Sequence, residues 1–451
     1  MKRKRPTTRS QRYAEGKALR EKVPRSRQAR WAPSPDRPDP IRLIEEADRS
    51  RLRGLLPIRY GRMSSSPFAF LRGAATVMAH DLAETPATGL RVQLGGDAHL
   101  ANFGMFATPE RAQVFDLDDF DETLPGTWEW DIKRLATSVL LAGRQLGFGP
   151  ARNRKAARAA LRTYRTAMAT FARMRYVDIW YSHLDPEGRG APIPRPGIRL
   201  FDHAVRAARV RTGLHAFPRM VEARRSGYRI RDAPPLIAHY KDPARSVESR
   251  SFFERYRATL PDERRMLLDH YEIVDVAQKV VGVGSVGTSC SVLLLMGDRD
   301  VEDPLLLQLK EADASALEPY LGSSPYPNHA QRVVTGQHLI QEASDVLLGW
   351  SRLRSRDFYV RQLRDMKFSF DLSTIGPKAF AAHAGLCGMA LARAHARTGD
   401  PARISGYLGD RDVFDTAVVR FAESYAAQTV RDHRALKKAI RAGRLPARIG
   451  V

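Results

Sequence analysis

Apolar residues recur at helical spacing in several separate stretches of the chain, and in one central region they crowd together more densely. "SPFAFLRGAATVMAHDLAE" (66–84) and "WEWDIKRLATSVLLAG" (128–143) set apolar side chains three and four positions apart, which predicts amphipathic helices. Residues 151–180 and 201–226, rich in Ala and Arg, predict further helices whose charge forms a solvated face. Helices are also expected around 330–343, over 379–398 and over 412–441. Between these helical regions lies "EIVDVAQKVVGVGSVGTSCSVLLLMGDRDVEDPLLLQLKEA" (272–312), whose Val- and Leu-rich runs, broken by glycine turns, read as three strands. "FYVRQLR" (358–364) reads as another, and "GLRVQLGGD" and "RAQVFDLDDFDE" as shorter ones. The order is helical, then sheet-rich, then helical again, so the expected fold class is α+β.

Composition adds a charge question to this picture. The chain has 451 residues, 43% hydrophobic and 27% charged, ordinary for a globular protein and long enough for two lobes or one elaborated domain. Its net charge of +24 predicts attraction for anions. Residues 1–30 hold twelve Lys or Arg against Glu15 and Glu21, and prolines cluster up to Pro40, so residues 1–40 are expected to be a disordered basic arm. Its first reading is a solvated tail that aids solubility or weakly touches RNA; the second is specific nucleic-acid binding, though no zinc-finger spacing or stacking-aromatic motif accompanies the charge. No apolar segment follows "MKRKR" and no run approaches a membrane span, so a cytoplasmic protein with no membrane partner is expected. Cys290 and Cys387 are too few for a disulfide framework or a thiolate zinc site.

Four stretches carry candidate chemistry. "GGDAHLANFG" (95–104) sets Asp97, His99 and Asn102 in one turn, where the acid could face a substrate hydroxyl and the amide oxygen a metal; a polar turn satisfied by its own backbone is the plainer reading. In "VFDLDDFDE" (114–122) period-two alternation puts Asp116 and Asp118 on one strand face and Asp119 on the other. Two carboxylates on one face favour a shared divalent cation, magnesium for oxygen ligands, against the alternative of a solvated acidic turn. "GVGSVGT" spaces Gly282, Gly284 and Gly287 around Ser285, between two predicted strands, as in a phosphate-covering hairpin; a ligand-free glycine hairpin is the alternative. Lys310 ends the apolar run "PLLLQLK", a solvated strand end by itself but a phosphate-pairing position beside such a hairpin.

Together these stretches resemble the aminoglycoside phosphotransferase and choline kinase branch of the protein-kinase-like superfamily. That branch places a His two residues after the catalytic Asp, as "GGDAHLANFG" does, and "WEWDIKRLA" resembles its Asp-Leu-Ala helix, in which an acid, here Asp131, braces the catalytic loop. The glycine loop and lysine follow the catalytic loop here instead of preceding it, so the resemblance implies a circularly permuted two-lobe fold, with a mostly helical large lobe and a small antiparallel-sheet lobe. The implied division is a basic arm (1–40), a helical lobe with the catalytic and metal loops (41–269), a nucleotide-covering lobe (270–370) and C-terminal helices (371–451). Over about residues 50–445, "GDAHLANFG", "FDLDDFDE", "VVGVGSVGT", "LQLKEA", "YVRQLRDMK" and "ALARAHA" resemble the bacterial family called domain of unknown function 2252.

The kinase resemblance implies an ATP- and magnesium-dependent phosphotransferase acting on a hydroxyl acceptor whose identity stays open. Asp97 would orient or deprotonate the hydroxyl, His99 would orient the loop, and Asn102 with Asp116 or Asp118 would hold magnesium. Lys310 would pair phosphates under Gly282, Gly284, Ser285 and Gly287. The glutamate that pairs such a lysine has no decisive candidate among Glu311, Glu318 and Glu342. Two other classes fit the residues: a nucleotide-binding pseudokinase or scaffold associated with RNA or another anionic partner, and a metal-dependent hydrolase using Asp97, His99, Asp116 and Asp118 with a distant His383 or His395.

Overall fold

The computed structural model describes residues 7–184, 204–206, 208–209, 213–225, 227–239, 244–280, 282, 284–298, 303–363 and 366–450. About half of the chain is helical and the strands pair antiparallel, an α+β architecture without a barrel. In chain order the strands are β1 (Arg91–Leu94), β2 (Phe103–Ala107), β3 (Gln113–Leu117), β4 (Leu124–Thr127), β5 (Val221–Arg224), β6 (Gly227–Ile230) and β7 (Ile237–His239). Then come β8 (Glu272–Lys279), β9 (Cys290–Met296), β10 (Pro304–Ala312), β11 (Gly349–Leu353), β12 (Arg356–Gln362) and β13 (Phe368–Ser369). β11-β12-β10-β9-β8-β7 form a six-stranded sheet, β13-β2-β3 a three-stranded one, and β1-β4 and β5-β6 pair separately.

The density of apolar residues in the central strands has a direct cause: both faces of the large sheet are covered. Leu293 and Leu295 of β9 pack with Phe252, Tyr256 and Leu268 on one side. Val292 and Leu294 pack with Phe217, Met220 and Ile230 on the other. Each alternate residue therefore gains burial, worth about 1.5–3 kcal/mol per large aliphatic side chain. The expected three strands over 272–312 are present, and the glycine stretch joins β8 to β9.

The largest core lies among the helices Glu129–Gln145, Pro150–Phe171, Pro377–Thr398 and Val413–Arg441, with β1 to β4 against it. Trp128 sits at its centre, stacked on Tyr164 at 5.7 Å between ring centroids.

Three expectations are corrected. Residues 201–226 are not one helix: Gly213–Met220 is helical, and the chain then turns into the β5-β6 hairpin. Val221 and Ile230 of that hairpin are buried against the large sheet, and tertiary packing overrides the Ala- and Arg-rich helical pattern. The sheet-centred part also begins before residue 270, because β7 is its edge strand and the helices Ala244–Arg257 and Asp262–Leu268 supply the cover of one face.

The third correction concerns the basic arm. Arg9–Lys22 is a helix with a capping box at Thr8 and Gln11, docked on the helix Pro401–Leu408. The backbones meet at Gly16, where a Cβ would lie 2.0 Å from the Arg403 carbonyl oxygen, and at Gly406, 2.1 Å from that of Tyr13. Arg20 Nε donates to the Tyr407 carbonyl at 3.0 Å and Arg25 to that of Leu408 at 2.5 Å, at the carbonyl end of the docked helix, where cations are favoured. Composition suggested disorder because it cannot register carbonyl groups waiting 380 residues downstream. Gly16→Ala is expected to cost about 1–3 kcal/mol through backbone overlap, whereas Gly54→Ala, with nothing within 4 Å, should be near neutral. Thermal unfolding of the two variants checks this.

Candidate functional site

β1 leads directly into the turn 95–102, and the turn is held from beneath by one face of the helix Glu129–Gln145. Asp131 accepts from Gly95 N at 2.8 Å and Gly96 N at 3.0 Å. Ser138 Oγ accepts from Leu100 N at 2.9 Å, and Arg134 forms an ion pair with Asp97. Positions 131, 134 and 138 are three, four and seven apart, so one helical stripe supports the whole turn. Asp131 is itself met by His395, whose other ring nitrogen lies 2.9 Å from the Tyr164 hydroxyl. Gly96 is required at its position: φ is +80° and a Cβ would meet the Glu122 carbonyl at 2.2 Å. That contact presses the 95–102 turn against the acidic segment.

Within the turn, Asn102 Nδ2 donates to the Asp97 carbonyl at 2.8 Å, and the Asn102 carbonyl accepts from Asp118 N at 3.1 Å. His99 Nε2 is 3.7 Å from Asp97 Oδ2. Burial, reinforced by Arg72 and Arg134, holds the His99 imidazole well below its ordinary pKa, so it is neutral. Burial pushes the Asp97 carboxyl up to about 7 even though Arg134 opposes the rise.

The acids of "VFDLDDFDE" divide differently from the expected alternation. β3 ends at Leu117, so the period of two does not reach Asp118. Asp116 points inward with no exposed surface, ion-paired with Arg393 and accepting from Glu342 N at 2.8 Å. It is therefore withdrawn as a metal ligand. Asp118, just past the strand, pairs with Lys367, whose Nζ is 3.3 Å away.

Lys310 of β10 crosses the cleft to the same segment. Its Nζ lies 2.5 Å from Asp121 Oδ2 and 3.8 Å from Asp119 Oδ2, almost fully buried. Burial alone would lower the Lys310 pKa; Asp119 and Asp121 more than reverse this and hold the ammonium charged. Burial together with Asp121 raises the Asp119 carboxyl. For Asp121 burial is outweighed by Lys310 and the hydroxyl of Tyr359, 2.9 Å away, which keep it ionised. Arg361, two residues along β12 from Tyr359, adds a second cation and donates to the Asp118 carbonyl at 3.3 Å. A cationic wall from the large sheet, Lys310 and Arg361 with Lys367 beyond β12, thus faces an acidic wall, Asp97, Asp118, Asp119 and Asp121.

The glycine loop closes one end. Ser285 Oγ donates to Asp121 Oδ2 at 3.1 Å, tying the loop to the acids. Gly287 has φ +98°, its carbonyl accepts from Leu52 N at 2.7 Å, and the Gly284 carbonyl accepts from Arg59 at 3.0 Å. Gly282 is exposed, with nothing within 4 Å of the place a Cβ would take. The candidate glutamates have other partners: Glu311 pairs with Arg356 at 3.0 Å, Glu318 lies 3.8 Å from Arg332, and Glu342 receives Leu184 N at 3.1 Å. The carboxylates that pair Lys310 come from the acidic loop instead. His383 packs against Phe115 and Phe370, and His395 is engaged by Asp131 and Tyr164. Among the described residues no group of three or more His, Cys, Asp and Glu side chains is placed to hold a metal ion alone, and no helix is long and apolar enough to cross a membrane.

Sequence reasoning missed Arg72, Arg134, Asp119, Asp121 and Arg361 as members of this cluster. The adjacent pair Asp118-Asp119 was a usable signal; the three arginines were not, since nothing local separates them from the many surface arginines.

An α+β protein with an acid-braced polar turn, an acidic loop and a buried sheet lysine is the class that this geometry defines. The chain belongs to the family described as uncharacterized protein conserved in bacteria (DUF2252), whose model matches residues 51–439. No curated protein and no solved structure matches it.

Asp116→Ala should strand the buried Arg393 and cost about 3–5 kcal/mol. Asp118→Ala should cost less, because the partner Lys367 is 32% exposed and can turn its ammonium to water. Urea denaturation of the two variants separates them, and equal losses would show that Asp116 has no special structural part.

Proposed function

We propose that the chain is an ATP- and magnesium-dependent phosphotransferase of permuted kinase-like fold that acts on a hydroxyl acceptor. The observation that carries this reading is the pairing of Lys310 with Asp119 and Asp121 beside the Asp97 turn: a sheet lysine, a glycine hairpin, an acid loop and an Asp/Asn turn come together although chain order separates them widely. Asn102 and Asp118 offer oxygen donors only, the chemistry that magnesium prefers. Two protein ligands suffice where nucleotide phosphates complete the shell. Bound there, the ion would neutralise charge on the transferred phosphoryl group.

The roles of the chain's own residues follow. Lys310 and Arg361 are placed to pair the phosphates, under a hairpin whose Ser285 is anchored on Asp121. Asp97 accepts the acceptor's hydroxyl proton as the hydroxyl oxygen bonds to the γ-phosphorus. The bond from that phosphorus to the β-γ bridging oxygen breaks, and ADP leaves. Arg134 and the Asp131-braced turn hold Asp97 in place, and His99, neutral and buried, positions the turn without proton transfer.

ATP with magnesium should raise the unfolding temperature of the whole chain, by the equivalent of about 2.7 kcal/mol at a hundredfold excess over Kd. The rise should vanish in Asp118→Ala and Lys310→Ala, persist in Asp116→Asn, and persist in Asp97→Asn while phosphoryl transfer to any acceptor stops. No rise in the wild type would overturn the reading.

A base with a pKa near 7 must be ionised to work, so protonation below that value removes activity. The kcat/KM of transfer should fall about tenfold per pH unit below 7 and level off above it. A rate profile between pH 5 and 9 checks the sign.

A further inference from the structure

Beside the Asp97 turn, on the flank away from the large sheet, lies a cavity of about 510 Å³ that the roles above do not use. Ala101, inside the turn, forms part of its wall, and Phe68 brings its ring edge-on to His99 at 6.2 Å between centroids. Phe68, Leu146, Phe370 and Leu372 make the lining largely apolar, with Arg62 and Arg72 as its charges. Among the described residues Asp371 is the carboxylate on the lining, and it caps its own turn, accepting from Ser373 N at 2.9 Å and Ser373 Oγ at 2.6 Å.

Arg72 is the distinctive group. It ends the short helix Pro67–Gly73, and its carbonyl lies against Gly284 of the glycine loop. Its guanidinium is within electrostatic range of Asp97, Asp119 and Asp118, yet its buried Nε has no hydrogen-bond partner. The guanidinium lies over the Phe68 ring, 5.9 Å from its centroid, and borders the cavity; its terminal N–H groups have no hydrogen-bond partner among the described residues, and an oxyanion held in the cavity would meet them.

Resting on the phosphotransferase reading, we propose that this cavity is the acceptor site and that the acceptor is a hydroxyl compound with an apolar body and an oxyanion group, carboxylate or phosphate, seated on Arg72. A cationic group does not suit a lining that carries Arg72 and whose Asp371 carboxylate is engaged by Ser373.

The test uses the whole chain without nucleotide, at constant ionic strength, with four probes: hexyl phosphate, hexanoate, hexylammonium and inorganic phosphate. Hexyl phosphate, hexanoate or both should raise the unfolding temperature by about 2 °C or more, above the effect of inorganic phosphate, and hexylammonium should not. Which acid acts distinguishes a phosphate from a carboxylate group. The rise should disappear in Arg72→Gln and in Leu372→Asp, each compared with its own ligand-free unfolding temperature, and should persist in Lys310→Ala, which loses the ATP response. Stabilisation by hexylammonium, no response to either acid, or a response that survives both Arg72→Gln and Leu372→Asp would overturn the proposal. Because the wild-type ATP response is read separately, failure of this inference is distinguishable from failure of the phosphotransferase reading.

Discussion

An ammonium group buried between two carboxylates sets the terms for the rest of this molecule. Lys310 is removed from water at the end of β10, and its charge is tolerable only because Asp119 and Asp121 meet it. Those carboxylates belong to a segment fastened to the helical core, through Asp116 to Arg393 on one side and through Arg332, which donates to the Asp121 and Thr123 carbonyls, on the other. The pair therefore locks the large sheet to the helices at one point.

The second constraint is the support of the 95–102 turn. Gly95 and Gly96 give two consecutive backbone donors to Asp131, and Gly96 lies so close to Glu122 that no side chain fits. Turn, helix and acidic loop thus position one another, and the precision of Asp97 relative to Asp118 comes from backbone contacts more than from long side chains. Precision of this kind is what a site that works by orientation and charge placement needs.

The site was legible in part because its motifs are short and contiguous. "GGDAHLANFG" and "VFDLDDFDE" each fold as a local unit, so their proximity to one another follows from a short connection. The brace by Asp131 was legible for the same reason, since helical spacing presents it with Arg134 and Ser138. Asp116 and Asp118 do not share a face because β3 ends at Leu117, before the alternation reaches Asp118, and the basic segment is ordered because its carbonyl partners lie at the other end of the chain. Arg72 and Arg361 gave no local signal at all.

What the sequence by itself determined is the set of elements and the local chemistry: strand runs dense enough to be covered on both faces, a glycine hairpin between two of them, and a polar turn beside an acidic loop. Periodicity and short-range backbone rules suffice for these, because the forces involved act within a few residues. Only the tertiary structure decided which carboxylate turns inward, which acids hold Lys310, and that the N-terminal helix docks. Those outcomes depend on desolvated charges and carbonyl groups finding partners hundreds of residues away, and no local pattern encodes the distance between them.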